Sequence, residues 1–205
     1  EVLFSGDYHV LDVEDMGRIP LTQRLTPLPG SLGTIVDDYH ALCGVDSGPN
    51  CSTNPFDGFA KREALGGSMH ITYDLGFAEL TSITAARKTD IHWIMDSVGS
   101  PTVFPALGDN IKDKTDQFSQ ELRLSGDTEY LQGKYIVGLW YLNEETDRRE
   151  LFDFAVPGVD SEYSQINETD SYAIFGQFDW DITDRWSLGV GGRYSYEQKD
   201  IVNSA

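Results

Sequence analysis

Residues 172–199, YAIFGQFDWDITDRWSLGVGGRYSYEQK, read as two long alternating strands joined by one very short turn. In the second arm Trp186, Leu188, Val190, Tyr194 and Tyr196 share one face, and Ser187, Gly189, Gly191, Arg193, Ser195 and Glu197 the other, a period of two. The first arm repeats the pattern, with Tyr172, Ile174, Phe178 and Trp180 opposite Ser171, Ala173, Gln177 and Asp179; Phe175 alone falls on the polar side. Between the arms, Asp181-Ile182-Thr183-Asp184 supplies carboxylates that can accept from nearby backbone N–H groups, which is turn chemistry.

The aromatics sit at the two ends of the apolar face. Trp180 and Trp186 flank the turn, while Tyr172, Tyr194 and Tyr196 lie at the far end with aliphatic residues between. Trp186 and Tyr196 are ten residues apart; at about 3.3 Å per residue and a tilt of roughly 40° they are separated by about 25 Å along the membrane normal. That is the height of the outward apolar band of a transmembrane barrel, and the five aromatics are then its membrane-interface girdles.

Composition points the same way. The 205-residue chain has negative mean hydropathy and no apolar run near the roughly 18 residues that a membrane helix needs. Twenty glycines and 12% aromatics, with few helix-forming runs, favour an all-β chain. A net charge of −19 argues against nucleic acid as a partner, because phosphates require Lys and Arg. The opening EVLFSGDYHV has no basic leader or cleavage site and already resembles mid-strand sequence.

Alternation predicts seven strands, at about 2–11, 63–74, 77–93, 116–125, 131–143, 170–181 and 185–198. In the third, Leu80 and Ile83 have opposite parity, which suggests a bulge or a register that alternation does not fix. The connections alternate in length: short at 75–76, 126–130 and 181–184, long at 12–62, 94–115 and 144–169. Short turns at one end and long loops at the other are the habit of outer-membrane barrels, with the long loops outside the cell. Seven strands cannot close alone in hydrocarbon, where an open edge leaves backbone groups unpaired. The expected architecture is therefore an all-β antiparallel meander, one segment of a large transmembrane barrel.

Four segments carry a family resemblance: ELTSITAAR (79–87), DQFSQELRLSG (116–126), GLWYLNEE (138–145) and the hairpin at 172–199. They resemble the barrel of TonB-dependent outer-membrane receptors, the siderophore-receptor-like group above all. The resemblance implies a barrel of about twenty-two strands plugged by an N-terminal domain. It also implies the outer membrane of a Gram-negative bacterium, outer-membrane lipid around the barrel, and uptake of a ferric siderophore or similar large nutrient energised by the TonB complex. No plug, TonB-contacting segment or terminal aromatic strand is visible, so residues 1–205 are expected to be a partial barrel domain.

The chemistry expected of the chain is binding, without a cofactor. His9, His40, His70 and His92 have no metal-ligand spacing, and no serine sits in a nucleophile elbow, so neither a metal site nor an enzyme is expected. Asp179, Asp181 and Asp184 resemble the start of a calcium loop but lack its Gly and distal Glu. Cys43 and Cys51, in a Gly/Pro/Asn/Ser-rich loop, would in an exported protein close a local disulfide worth about 2 to 3 kcal/mol. Candidate ligand-binding residues are polar or aromatic and placed toward the outside: Asp37, Asp38, Tyr39 and His40 in the first loop, His92 and Trp93 at the top of the third strand, and Asp147, Arg148 and Arg149 in the third loop. The alternatives are a plugless porin or adhesin-like barrel and a soluble secreted β-sandwich binding module.

Overall fold

The structure, a computed structural model, describes residues 1–14, 58–96, 108–128, 130, 132–153, 161–183 and 185–204. Seven strands follow one another: β1 (Val2–Glu14), β2 (Phe59–Asp74), β3 (Glu79–Asp96), β4 (Gly108–Thr128), β5 (Gly133–Asp153), β6 (Ser161–Thr183) and β7 (Trp186–Ser204). Each pairs antiparallel with its sequence neighbour in one sheet of order β1-β2-β3-β4-β5-β6-β7. Among the described residues there is no helix, and β1 and β7 form the two edges.

The pairing sorts side chains cleanly onto two faces. One carries Phe4, Leu65, Tyr73, Leu139, Ile174, Val190 and Tyr194, all well exposed. The other carries the small buried residues Ala64, Thr81, Ser171 and Ala173 together with Ile111. Crowding on one face and exposure of large apolar groups on the other mark the concave and convex sides of a curved sheet. The face sorting expected for the hairpin at 172–199 holds throughout: Tyr172 pairs with Tyr196, Ile174 with Tyr194, Phe178 with Val190 and Trp180 with Leu188, all on the convex side.

The strands are longer than alternation predicts. β4 begins at Gly108 and β5 runs to Asp153, so Asp147, Arg148 and Arg149 stand in a strand and not in a loop. Alternation of apolar residues stops where the convex face becomes polar, but the ladder continues because cross-strand polar pairs replace the apolar ones. Lys88 meets Asp116 at 2.8 Å and Lys61 meets Asp12 at 3.3 Å in this upper region. The Thr115 and Thr146 hydroxyls are 3.0 Å apart there.

The bulge expected in β3 is absent. Its register runs unbroken from Glu79 to Asp96 against β4, with Leu80 on the convex face and Ile83 on the concave one. The irregularity falls instead between Asp181 and Thr183, at the β6–β7 turn. There the Thr183 Oγ1 accepts from the backbone N–H groups of Arg185 and Trp186, at 3.3 and 3.2 Å. The β2–β3 turn spans four residues, Leu75 to Ala78, closed by the Leu75 N–H on the Ala78 carbonyl at 2.9 Å. Gly76 takes φ +84° and donates to Asp74 Oδ1 at 2.7 Å, a conformation that L side chains rarely adopt.

Candidate functional site

The convex face is bounded above and below. Its upper apolar margin runs through Val10, Leu65, Ala86, Phe118, Tyr141, Tyr172 and Tyr196, and two residues further on every strand turns polar: Asp12, Glu63, Lys88, Asp116, Asn143, Asp170 and Gln198. Phe118, Tyr141 and Tyr172 stand in a row, with ring centroids 6.4 and 5.0 Å apart. The Tyr141 hydroxyl donates to Asp170 Oδ1 at 2.9 Å, and the Asn143 amide donates to the same oxygen at 3.2 Å. The aromatic bodies thus face the apolar band while their polar tips meet the polar zone, as at a membrane interface. Tyr73, Tyr135, Trp180 and Trp186 mark the lower margin.

Relative to the pairing rows, this band descends by about one residue per strand from β1 to β7. With about 3.3 Å per residue and about 4.8 Å between strands, the descent corresponds to a strand tilt of roughly 35°. Transmembrane barrels tilt their strands by about 35–45°. One polar interruption crosses the band: Thr84 Oγ1 donates to Gln120 Oε1 at 2.6 Å, and the Gln120 amide donates to Ser82 Oγ at 3.0 Å. All three lie on the convex face, where their mutual bonds satisfy them.

The concave wall mixes bonded polar groups with inward apolar residues such as Ile83, Ile91 and Trp140. Arg87 reaches across Gly66 and donates to both carboxylate oxygens of Asp7, at 2.8 and 2.9 Å. Gly66 leaves room for that crossing: a Cβ there would lie 2.8 Å from Asp7 Oδ1 and 2.9 Å from Arg87 Nη2, so the pair would have to shift. Lower down, the Arg193 guanidinium lies 5.1 Å from the Trp140 ring centroid and 5.8 Å from that of Phe175, a double cation–π contact. Phe175, the aromatic that breaks the hairpin's alternation, covers Gly138 here.

Higher on the same wall, Arg148 is flanked by two carboxylates. Its Nη2 is 3.2 Å from Glu150 Oε2 and its Nη1 is 3.7 Å from Asp113 Oδ2. Asp113 Oδ1 is buried with no hydrogen-bond partner. Burial pushes this carboxyl above the usual carboxylate range, against the pull of Arg148 and with a further push from Glu150. Trp93 pairs with the fully buried Ile111 beside this cluster.

Of the residues expected from the sequence, Arg148 and Trp93 therefore face the concave side. His92, Asp147 and Arg149 alternate with them and face the convex side. His92 packs edge-on against Phe59 at 4.8 Å and its Nε2 is 3.0 Å from Asn110 Oδ1. Asp37, Asp38, Tyr39, His40 and both cysteines lie outside the described residues. Sequence reasoning missed Asp113 and Glu150 as partners of Arg148. The signal was parity, since Asp113 and Arg148 are register partners whose side chains meet only once β4 and β5 are extended past the apolar band.

A sheet with an apolar, aromatic-bounded convex face and a polar concave face has the organisation of a transmembrane β-barrel wall. The chain belongs to the TonB dependent receptor-like β-barrel family, whose match covers residues 22–204. A solved structure with the same fold is that of the ferric yersiniabactin uptake receptor FyuA from Yersinia pestis. It is 18% identical, with a TM-score of 0.61, over 72% of this chain and 22% of that one. This chain thus spans about a fifth of that receptor's length. The comparison with curated proteins found no match. The family is one of receptors and transporters of the Gram-negative outer membrane, and its members are not enzymes.

Proposed function

We propose that this chain is part of the barrel wall of an outer-membrane TonB-dependent receptor that takes up a ferric siderophore or a similarly large nutrient, energised through the TonB complex. The observation that carries the reading is the convex band, with aromatic margins and a one-residue descent per strand, opposite a polar concave wall. Family membership supports the receptor class.

In this reading residues 1–205 form a partial barrel domain, and neighbouring strands pair with β1 and β7, since each backbone group left open in hydrocarbon costs several kcal/mol. Tyr172, Trp180, Trp186, Tyr194 and Tyr196 sit at the membrane interfaces. Arg148 and Trp93, at the outer end of the concave wall, join Asp37, Asp38, Tyr39 and His40 in meeting the ligand, and Cys43 and Cys51 close a disulfide outside the cell.

The test is accumulation of radio-iron from siderophores by iron-starved cells that carry the full-length gene product. Deletion of the gene and deletion of TonB are each expected to abolish accumulation of at least one ferric siderophore. Uptake that survives without TonB would show the energised reading to be wrong.

A further inference from the structure

The geometry points to a docking shelf for a neutral pyranose chain, free or carried on a larger nutrient, at the outer end of the concave wall; this rests on the receptor reading proposed above and names a ligand class for it. Thr89, Thr115, Thr146 and Asn167 are consecutive cross-strand partners on β3, β4, β5 and β6. All four lie on the concave face and all are half-buried, so a ligand inside the curve of the sheet can reach them. An unbroken run of uncharged hydrogen-bonding groups over four strands is conspicuous in a chain in which 24% of the residues are charged.

What the row leaves unused sets the chemistry. The Thr115 and Thr146 hydroxyls share one bond at 3.0 Å, which engages one of their two protons. Asn167 donates one amide N–H to Gln165 Oε1 at 3.0 Å and keeps its second N–H and its own carbonyl oxygen. The Thr89 hydroxyl has no side-chain partner among the described residues. The row therefore offers donors and acceptors together, which is what a sugar hydroxyl, itself both donor and acceptor, can use. The charged rows on either side are engaged within the wall. Below, Arg87 is bonded to Asp7 at 2.8 Å and the Gln117 amide donates to Glu144 at 3.2 Å; above, Arg148 is 3.2 Å from Glu150. Charge there is neutralised locally, and the row between suits a ligand without charge.

Spacing selects the shape. Adjacent strands lie about 4.8 Å apart, close to the length of one pyranose unit in a linear chain, so a chain laid across the strands meets one group of the row per sugar. Trp93 stands four residues above Thr89, and Tyr163 four above Asn167, on the same face. The Tyr163 hydroxyl is held by donating to Asn203 Oδ1 at 2.9 Å. A chain arriving from outside passes these two aromatic side chains before it reaches the row, and aromatic rings take the apolar C–H face of a sugar while a few placed polar groups fix its orientation.

The full-length protein in detergent is titrated on an array of neutral linear oligosaccharides (glucans, mannans, xylans and galactans) and on polyuronates of the same length. At least one neutral series is expected to bind, and the polyuronates are not. Thr146→Val/Asn167→Ala is expected to weaken that binding by at least about tenfold, with the isosteric Thr146→Val alone serving if the double variant loses the fold. Thr146→Ser, which keeps the hydroxyl, and Glu168→Gln, on the convex face, leave binding unchanged. A glucosylated ferric siderophore titrated beside the same chelate without its sugar tells a carried sugar from a free chain, and sugar-dependent binding in either arm supports the row. No sugar-dependent binding in both arms, equal binding of polyuronates, or undiminished binding by the variants overturns it. Uptake separates the two readings: saccharide binding without TonB-dependent accumulation takes down the energised receptor alone, and TonB-dependent uptake of a nutrient without saccharide binding removes the row alone.

Discussion

Phe175 breaks the alternation of its strand because it has a different task from Tyr172 or Phe178. It faces inward, covers the bare backbone of Gly138 and stacks beside Arg193. A Cβ at position 138 would overlap the Phe175 ring, so the ring has to move if any side chain is placed there. Gly138→Ala is expected to destabilise the full-length protein by about 1–3 kcal/mol, read as a lower urea midpoint in lipid vesicles. Adding Phe175→Ala should cost less than the two single changes summed, because the clash and the covering contact are one interaction. Asp113 makes a second case at this scale. Its pKa is raised in the folded protein by burial, so its contribution is favourable below its unfolded value and is lost as pH rises through the raised one. Asp113→Asn cannot ionise, and Arg148 keeps Glu150. The variant is expected to gain stability relative to the unaltered protein at pH 7 and to lose that advantage at about pH 4; equal differences at both would count against it.

At the scale of strands, β6 and β7 were legible because, apart from Phe175 and the Gly176–Gly192 pair, bulky apolar residues alternate with small or polar ones along the band. β3 was not, because its convex positions carry Ser82, Thr84 and Ala86 while Ile83 and Ile91 point inward, so hydrophobicity alone gives the wrong parity. What makes that arrangement tolerable is Gln120 on the next strand, which bonds both hydroxyls. Gln120→Leu alone is expected to cost about 1 kcal/mol by leaving those hydroxyls unpartnered. The triple change Ser82→Ala/Thr84→Val/Gln120→Leu should restore or exceed the original stability, since removing every partner leaves nothing to satisfy. The band itself is tested by charge. Leu139→Arg on the convex face should cost about 2–4 kcal/mol in vesicle folding assays, and Gln177→Arg on the concave face much less. The ends of the strands were illegible for a different reason: above the band, pairing depends on polar neighbours such as Lys88 and Asp116, which only the register brings together.

At the scale of the whole sheet, a seven-strand meander with two sharply different faces followed from alternation and turn lengths, while the composition of the concave wall did not. Arg87 finding Asp7 over Gly66, and Arg148 finding Asp113, are meetings across strands 80 and 35 residues apart in sequence. The descent of the band also turns each pairing row into a ramp relative to the apolar band. The row that begins at Tyr8 and Leu65 passes Lys88 and Asp116 and ends at Glu145, Glu168 and Asp200. In the proposed membrane placement its first members lie at the level of the lipid and its last in water, a climb of roughly 15–20 Å over six strand spacings. Neighbours in the ladder therefore live in different solvents, and depth in this wall is a property of strand and position together. In that placement a single cross-strand row links the bilayer at one edge of the sheet to the aqueous surface at the other.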